Sequence, residues 1–460
     1  CENACPAGVN VPGYLALISA NKVRDAYDLI RQDNPFPAVC GRVCTHPCES
    51  KCRRGQVDEP IAIAALKRYA ADVVYALDEP FQEEKLPLKD KSVGIIGGGP
   101  SGLSAGYHLA RLGYDVTVYE AADRAGGCLA LTIPEYRLPS DMLHKEIKAI
   151  ENIGVKILRN MRVGKDIAFE EVKRRHDAVY IATGTHIARK MGIKGENLAG
   201  VYPGFEILQM PKDVIRRIVE GKRIAVIGGG NTAIDVARVT KRLGAKSVEI
   251  VYRRTIDDMP ADELEIREAL YEGVIIHTMV NPVAILGNKE VEKIRLLKHA
   301  PGRFDDTARK VSVPIQGSEY DIDVDVVIPT IRQNEDLSFM GIESIKLTST
   351  PGTSKTDIKG VFAGGDVLQR SSTVIEAIAD GKQAAVDIDI YLGGKGILNK
   401  GKEIEIPKPD DEQDLAEHPR FTFPSLPLEE RQNNFNEVFS RFDKLSAIAE
   451  AMRCLRCDRR

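Results

Sequence analysis

Apolar positions in VPGYLALISANKVRDAYDLIRQ recur at helical spacing, and AIAALKRYAADVVYAL repeats the behaviour, so residues 1 to about 85 read as a small helical unit. The pattern then changes. KSVGIIGGGPSGLSAGYHLARLGYDVTVYEAAD runs as an apolar strand, a glycine turn, a helix and a second strand, and KRIAVIGGGNTAIDVARVTKRLGAKSVEIVYRR repeats that grammar 131 residues later. Further short strands follow, and GVFAGGDV at residues 360–367 precedes an alanine-rich helical stretch expected from about Ser372. This order predicts an α/β fold with two Rossmann-like dinucleotide-binding domains behind an α-helical one, the second inserted into the first. The expected bounds are residues 1–85 for the helical domain, 86–205 with 330–398 for the outer domain, and 206–329 for the inserted one. Residues 399–460 are expected to be an extended tail, rich in Pro and acid at IPKPDDEQDLAEHPRFTFPSLPLEE, leading to a last helix around FDKLSAIAEAMRCL.

Composition narrows the function. With 460 residues the chain has room for about three domains. A hydrophobic share of 43%, a charged share of 28% and a formal charge of -3 favour neither nucleic acid nor an anionic membrane as partner. Tryptophan is absent, which argues against a base-stacking surface. No apolar run reaches the roughly 20 residues of a bilayer span, and the opening residues lack the basic-then-apolar order of a signal peptide. A cytoplasmic location is expected.

Both glycine turns sit between strand and helix, the context that turns a weak motif into a dinucleotide site. Gly97, Gly99 and Gly102 allow a tight turn, a close approach to a pyrophosphate and close helix packing, with the helix N-terminus facing the anion. Pro100 and Ser101 open that helix. Glu120 ends the next strand, where a carboxylate accepts hydrogen bonds from an adenosine ribose. The second turn carries Gly228, Gly230 and Ala233, with Asn231 and Thr232 opening its helix. The place matching Glu120 is Arg253, followed by Arg254, an arginine pair suited to clamping a 2'-phosphate. One acidic and one basic fingerprint predict FAD in the outer domain and NADPH in the inserted one. In GGDV, Gly365 and Asp366 are expected near the flavin ribityl or phosphate.

Taken together, VCGRVC, IGGGPSGL, IPEYRLP, IGGGNTAID, YRRT, FAGGD and TVIEAIADGKQAA resemble the family of the small (beta) subunit of NADPH-dependent glutamate synthase. The resemblance spans nearly all of residues 1–395. It is shared with the flavin module of dihydropyrimidine dehydrogenase and with the electron-bifurcating large subunit of NADH-dependent ferredoxin:NADP oxidoreductase. It implies a helical iron-sulfur domain, an FAD domain interrupted by an NADPH domain, and electron delivery through 4Fe-4S clusters to a large subunit, another acceptor subunit or ferredoxin, hence a hetero-oligomer. Gly127, Arg137, Gly184, Thr373 and Val374 join the cofactor-binding set on the same ground. The expected activity is FAD-dependent electron transfer between NADPH and the clusters, in which stacked rings pass hydride and no side-chain base is needed.

The cysteines crowd the two ends. Cys1, Cys5, Cys40, Cys44, Cys48 and Cys52 are candidate metal ligands, and Cys1-x3-Cys5-Pro6 matches the end of a ferredoxin run, so the motif is expected to continue upstream. Spacing by fours would stack Cys40 to Cys52 on a helix, but Gly41 and Pro47 argue for a loop. The resemblance puts Cys1 and Cys52, with two cysteines expected upstream, on one cluster and Cys5, Cys44 and Cys48 on a second, whose fourth ligand in the family is often a Glu or Gln where this chain has Lys67, with Cys40 the local alternative. Cys454-x2-Cys457 is either part of another iron-sulfur or zinc site or an exposed pair. Cys128 is alone, which suits packing rather than dithiol catalysis. His186 is expected to be structural, and Arg332, where the family commonly has glycine, is expected to crowd nicotinamide access.

Overall fold

The computed structural model describes residues 1–77, 85–304, 310–342, 344–346, 352–368, 373–398, 401–408 and 417–459. Ser372 lies outside them, and the alanine-rich helix runs Val374–Tyr391 behind a capping box of Thr373 and Glu376.

The first βαβ unit builds a parallel sheet of five strands in the order Val361–Ala363, Ala178–Ile181, Ser92–Ile96, Asp115–Tyr119, Lys156–Leu158. Helices cover both faces, which is why Ser92–Ile96 and Ala178–Ile181 read as unbroken apolar runs. Val361–Ala363, distant in sequence, completes this sheet, so its chain is interrupted by the second unit. That unit builds a parallel sheet ordered Val326–Pro329, Arg223–Ile227, Ser247–Tyr252, Ile275–Thr278. Between Ile275–Thr278 and Val326–Pro329 the short strands foreseen in the sequence form their own antiparallel sheet from Val280–Leu286, Lys293–Phe304, Lys310–Pro314 and Tyr320–Asp323. The two crossings between the units, at Ile187–Ala188 and Gln333–Asn334, pair antiparallel with each other.

The cysteine-rich unit is helical, with Val11–Ser19, Val23–Arg31, Pro37–Val43 and Ile63–Ala76 around one core. Asn10 caps the first helix, its side chain accepting the Gly13 N–H at 2.9 Å. The expectation of a loop at Gly41 and Pro47 is corrected: Gly41 lies inside Pro37–Val43, and Pro47 opens the short helix Pro47–Ser50. Proline is at home in a first helical turn, and glycine is needed because a Cβ at Gly41 would sit 2.6 Å from the Arg68 Cα.

This unit docks on the first βαβ unit through buried hydrogen bonds and an ion pair. Glu146, from the helix Ser140–Asn152, accepts the Ala38 and Val39 N–H groups at 2.6 and 3.1 Å, and Lys382 donates to the Ala7 carbonyl and Asp33 at 2.7 and 2.6 Å. The expected tail is packed rather than free. Arg42 holds Glu437 at 2.7 Å, Arg68 donates to the Phe439 carbonyl at 2.7 Å, Val438 N–H donates to the Tyr136 carbonyl at 3.0 Å, and Arg431 pairs with Glu268. Residues 431–439 therefore touch all three units. The last helix is Lys444–Met452. No helix among the described residues is long and apolar enough to cross a membrane.

Candidate dinucleotide and cluster sites

A cavity of about 580 Å³ opens at the carboxyl ends of the first sheet, within the size range of cofactor sites. Gly97, Gly99, Pro100, Ser101, Glu120, Gly127, Gly184, Gly365 and Asp366 line it. The helix Pro100–Arg111 has no side-chain cap at Gly99, which leaves its first-turn N–H groups for an anion. Gly97 has φ 106°, and a Cβ there would strike the Ala182 carbonyl at 2.4 Å; at Gly127 it would come 2.9 Å from the Gly99 Cα. The turn is thus a cradle that side chains would fill. Glu120 is fixed by its own backbone partners, Gly98 N–H at 2.8 Å and Ala122 N–H at 2.7 Å. Ser101 Oγ meets Tyr180 OH at 2.7 Å. These residues fit a dinucleotide.

Asp366 stands at this cavity, its carboxyl pushed up to about 6 first by burial and then by Asp380 and Glu376. Cys128 also lines it, and burial pushes that thiol up to about 11. His186 sits on the rim with Nε2 2.7 Å from the Thr183 carbonyl, and Arg332 is exposed and not part of the lining. Gly102 is absent from the lining because it serves packing: a Cβ there would meet the Gly97 carbonyl at 2.0 Å.

Arg137 is elsewhere. Its guanidinium is buried against Asp235 at 2.8 Å and Glu265 at 3.1 Å in the inserted unit, so it joins the two units instead of lining the first cavity. Arg238 and Arg242 extend the network to Glu272, at 2.6 Å each, and lie 4.6 and 4.1 Å from the Tyr136 ring centroid. Sequence reasoning could not see this, because its partners lie about a hundred residues away. It also missed Met161, Arg162 and Lys165, which line the cavity from a loop without a motif, and Phe339, which lines it from the 3-10 turn Ser338–Met340. A larger cavity of about 1160 Å³ lies alongside, between residues 123–151 and residues 208–215, sharing Leu131 and Gln209 with the first.

In the second unit Gly228 has φ 140°, and a Cβ at Gly230 would meet nothing within 4 Å, so the space above the turn is open. Asn231 Oδ1 accepts the Asp262 N–H at 3.0 Å, and Thr232 is half-buried at the same helix start. Again no side chain caps the helix, Asn231–Arg242. Arg253 and Arg254 follow the strand Ser247–Tyr252. Arg254 is anchored by donating to the Lys310 carbonyl at 3.0 Å, while Arg253 is exposed.

Cys5, Cys40, Cys44 and Cys48 are buried around Lys67, which is only 4% exposed. Burial alone would discharge Lys67, but the negative charge these four cysteines carry as thiolates holds its ammonium above the ordinary range. The Cys44 thiol is pulled down to about 6, by a hydrogen bond from Cys40 and then by Lys67 and the His46 N–H at 3.3 Å, against burial. Burial pushes Cys48 up to about 12. No three Cys, His, Asp or Glu side chains among the described residues converge on a single ion. The four buried thiols are the donor type a 4Fe-4S cluster takes, one thiolate to each iron.

Two glycine turns that each open an uncapped helix beside a parallel sheet, together with a group of buried thiols in the same chain, suit a dinucleotide-dependent oxidoreductase. The chain belongs to the pyridine nucleotide-disulphide oxidoreductase family, whose model matches residues 91–381, and residues 1–78 match the 4Fe-4S cluster domain II of dihydropyrimidine dehydrogenase. FAD, NADPH and a 4Fe-4S cluster are its cofactors. It is 41% identical over 498 aligned residues to the NADP(+)-dependent formate dehydrogenase subunit beta of Moorella thermoacetica, covering 100% of this chain and 70% of that one. It is 33% identical to the NADPH glutamate synthase small chain of Azospirillum brasilense, covering 86% of each. Mycobacterium tuberculosis FprA in complex with NADPH shares the fold, with a TM-score of 0.58 and 18% identity over 66% of this chain and 85% of that one.

Proposed function

We propose that this chain is the electron-input subunit of a hetero-oligomeric oxidoreductase, taking hydride from NADPH and sending single electrons to a partner. The observation that carries it is the pairing in one chain of an acidic cradle, Glu120, with a basic one, Arg253 and Arg254, beside buried thiols. Flavin, when bound, supplies the conversion between a two-electron donor and one-electron carriers. The protein does the placing. Gly97, Gly99, Gly127 and the uncapped helix at Pro100 hold the flavin's pyrophosphate, Glu120 its ribose, and Gly365 with Asp366 its ribityl side; Thr373 and Val374 begin the helix behind. Gly228, Gly230 and the helix at Asn231 and Thr232 hold the NADPH pyrophosphate, and Arg253 meets its 2'-phosphate. Cys5, Cys44 and Cys48, with Cys40 or Lys67 beside them, hold the buried cluster.

The partner performs the final reduction. A glutamate synthase-like large subunit is one such partner; the match to a formate dehydrogenase beta subunit along the whole chain favours a catalytic subunit of that kind. Anaerobic stopped-flow mixing with NADPH should bleach flavin absorbance first and cluster absorbance next, with NADH far slower. Equal rates with both nucleotides, or no bleaching, overturns the reading.

A further inference from the structure

The arginine pair of the second unit is tied into the antiparallel sheet. Arg253 and Arg254 leave the strand Ser247–Tyr252 just past a ring that packs on the glycine turn, where a Cβ at Gly229 would strike Tyr252 at 2.6 Å. The Tyr252 hydroxyl donates to the Asp258 carbonyl at 2.8 Å and Thr255 to the Asp258 carboxylate at 2.6 Å, so the chain beyond the pair is held as well. Three later segments reach the pair itself. The Arg254 carbonyl accepts the Met279 N–H at 3.1 Å, and the Met279 carbonyl accepts the His299 N–H at 2.8 Å. Arg254 Nε donates to the Lys310 carbonyl at 3.0 Å, and the Ser312 hydroxyl donates to the Arg253 carbonyl.

The bond from Ser312 belongs to a chain with one direction. Ser312 Oγ also lies 2.7 Å from His299 Nδ1. A hydroxyl has a single hydrogen and a carbonyl can only accept, so the Ser312 hydrogen is committed to Arg253, and the hydrogen between His299 and Ser312 has to come from Nδ1. His299 donates to Ser312, and Ser312 to Arg253. The result is a brace across the strands Lys293–Phe304 and Lys310–Pro314 that ends on the backbone of the arginine pair. Arg254 spends its Nε on the same brace, which leaves the exposed Arg253 guanidinium to meet an anion. Fixing that backbone in advance lowers the ordering cost when a phosphate arrives.

We propose that Ser312 and His299 are positioning residues for the 2'-phosphate of NADPH, and that this brace, together with the arginines, sets the preference over NADH. Their action runs through the Arg253 carbonyl. The assignment rests on the reading of the inserted unit as the NADPH site.

Anaerobic stopped-flow reduction of the holoprotein's flavin over a range of NADPH and NADH concentrations tests it. Ser312→Ala should raise the half-saturating concentration of NADPH about 2- to 10-fold, the worth of one neutral hydrogen bond, with the limiting rate and the rates with NADH at parent values. Ser312→Thr, which keeps the hydroxyl, should restore it. His299→Phe, which keeps a ring without the Nδ1–H, should give the same selective rise and reads the brace independently where Ser312→Ala does not fold. Unchanged half-saturation with NADPH, or an equal rise with both nucleotides, overturns the assignment. Should Arg253→Ala also leave NADPH at the parent value, the placing of the 2'-phosphate falls, and with it the reading on which this one rests.

Discussion

At the residue scale, side chains of like charge do different work according to what they face. Arg137 and Arg253 are both expected to bind cofactor, yet one is buried between two carboxylates and the other is exposed just past the strand Ser247–Tyr252. Arg253→Ala should lower kcat/KM for NADPH about 10- to 100-fold, the worth of a charge-assisted hydrogen bond, and leave NADH unchanged, as steady-state kinetics with both nucleotides will show. Glu146 gives a pH signature. Burial pushes its carboxyl up to about 7 against the two N–H groups it accepts, so the fold favours its protonated form. Its contribution is whole below the ordinary value near 4.5 and is lost as pH rises through about 7. Denaturant melts should show the parent losing up to about 3 kcal/mol relative to Glu146→Gln across that window.

At the element scale, the glycine turns and their flanking strands were legible because each needs a fixed spacing of residue types. The strand Val361–Ala363 was legible as a motif, FAGGD, though its place at the sheet edge is a matter of topology. Gly41 and Pro47 argue for a loop by residue type, yet Cys40 and Cys48 lie in short helices, because one of these residues is small for the sake of Arg68 and the other opens a helix. The role of the IPEYRLP segment was also hidden. It reaches from the flavin unit to the helix Asn231–Arg242, and Arg137→Ala would leave Asp235 and Glu265 buried without that partner. Loss of one member of such a pair costs about 3–5 kcal/mol. Thermal unfolding should show it, and Arg137→Lys should restore only part because the compact ammonium lacks the planar guanidinium whose separate nitrogens reach the two acids.

For the whole molecule, the segment with the least regular pattern makes the widest set of connections. Residues 417–459 read as a tail because proline and acid suppress periodicity, but Glu437, Phe439, Arg431 and Glu450 tie the cysteine unit, the IPEYRLP segment and the inserted unit into one body. The sequence carries no sign of this, since the pairings join residues up to about four hundred apart. Ending the chain at residue 416 should therefore split one calorimetric transition into two or more, whereas a tail without structural role would leave a single peak at an unchanged temperature.

The bond between Glu450 and the Ala62 N–H, and that between Arg453 and Asp58, also impose an order of events on biosynthesis. Residues 54–62 have partners translated nearly four hundred residues later, so the cysteine-rich unit gains these contacts only once translation has passed residue 453. A chain stopped short of that residue would keep the buried thiols inside their own helices but leave the edge at Arg54 and Asp58 without its clasp.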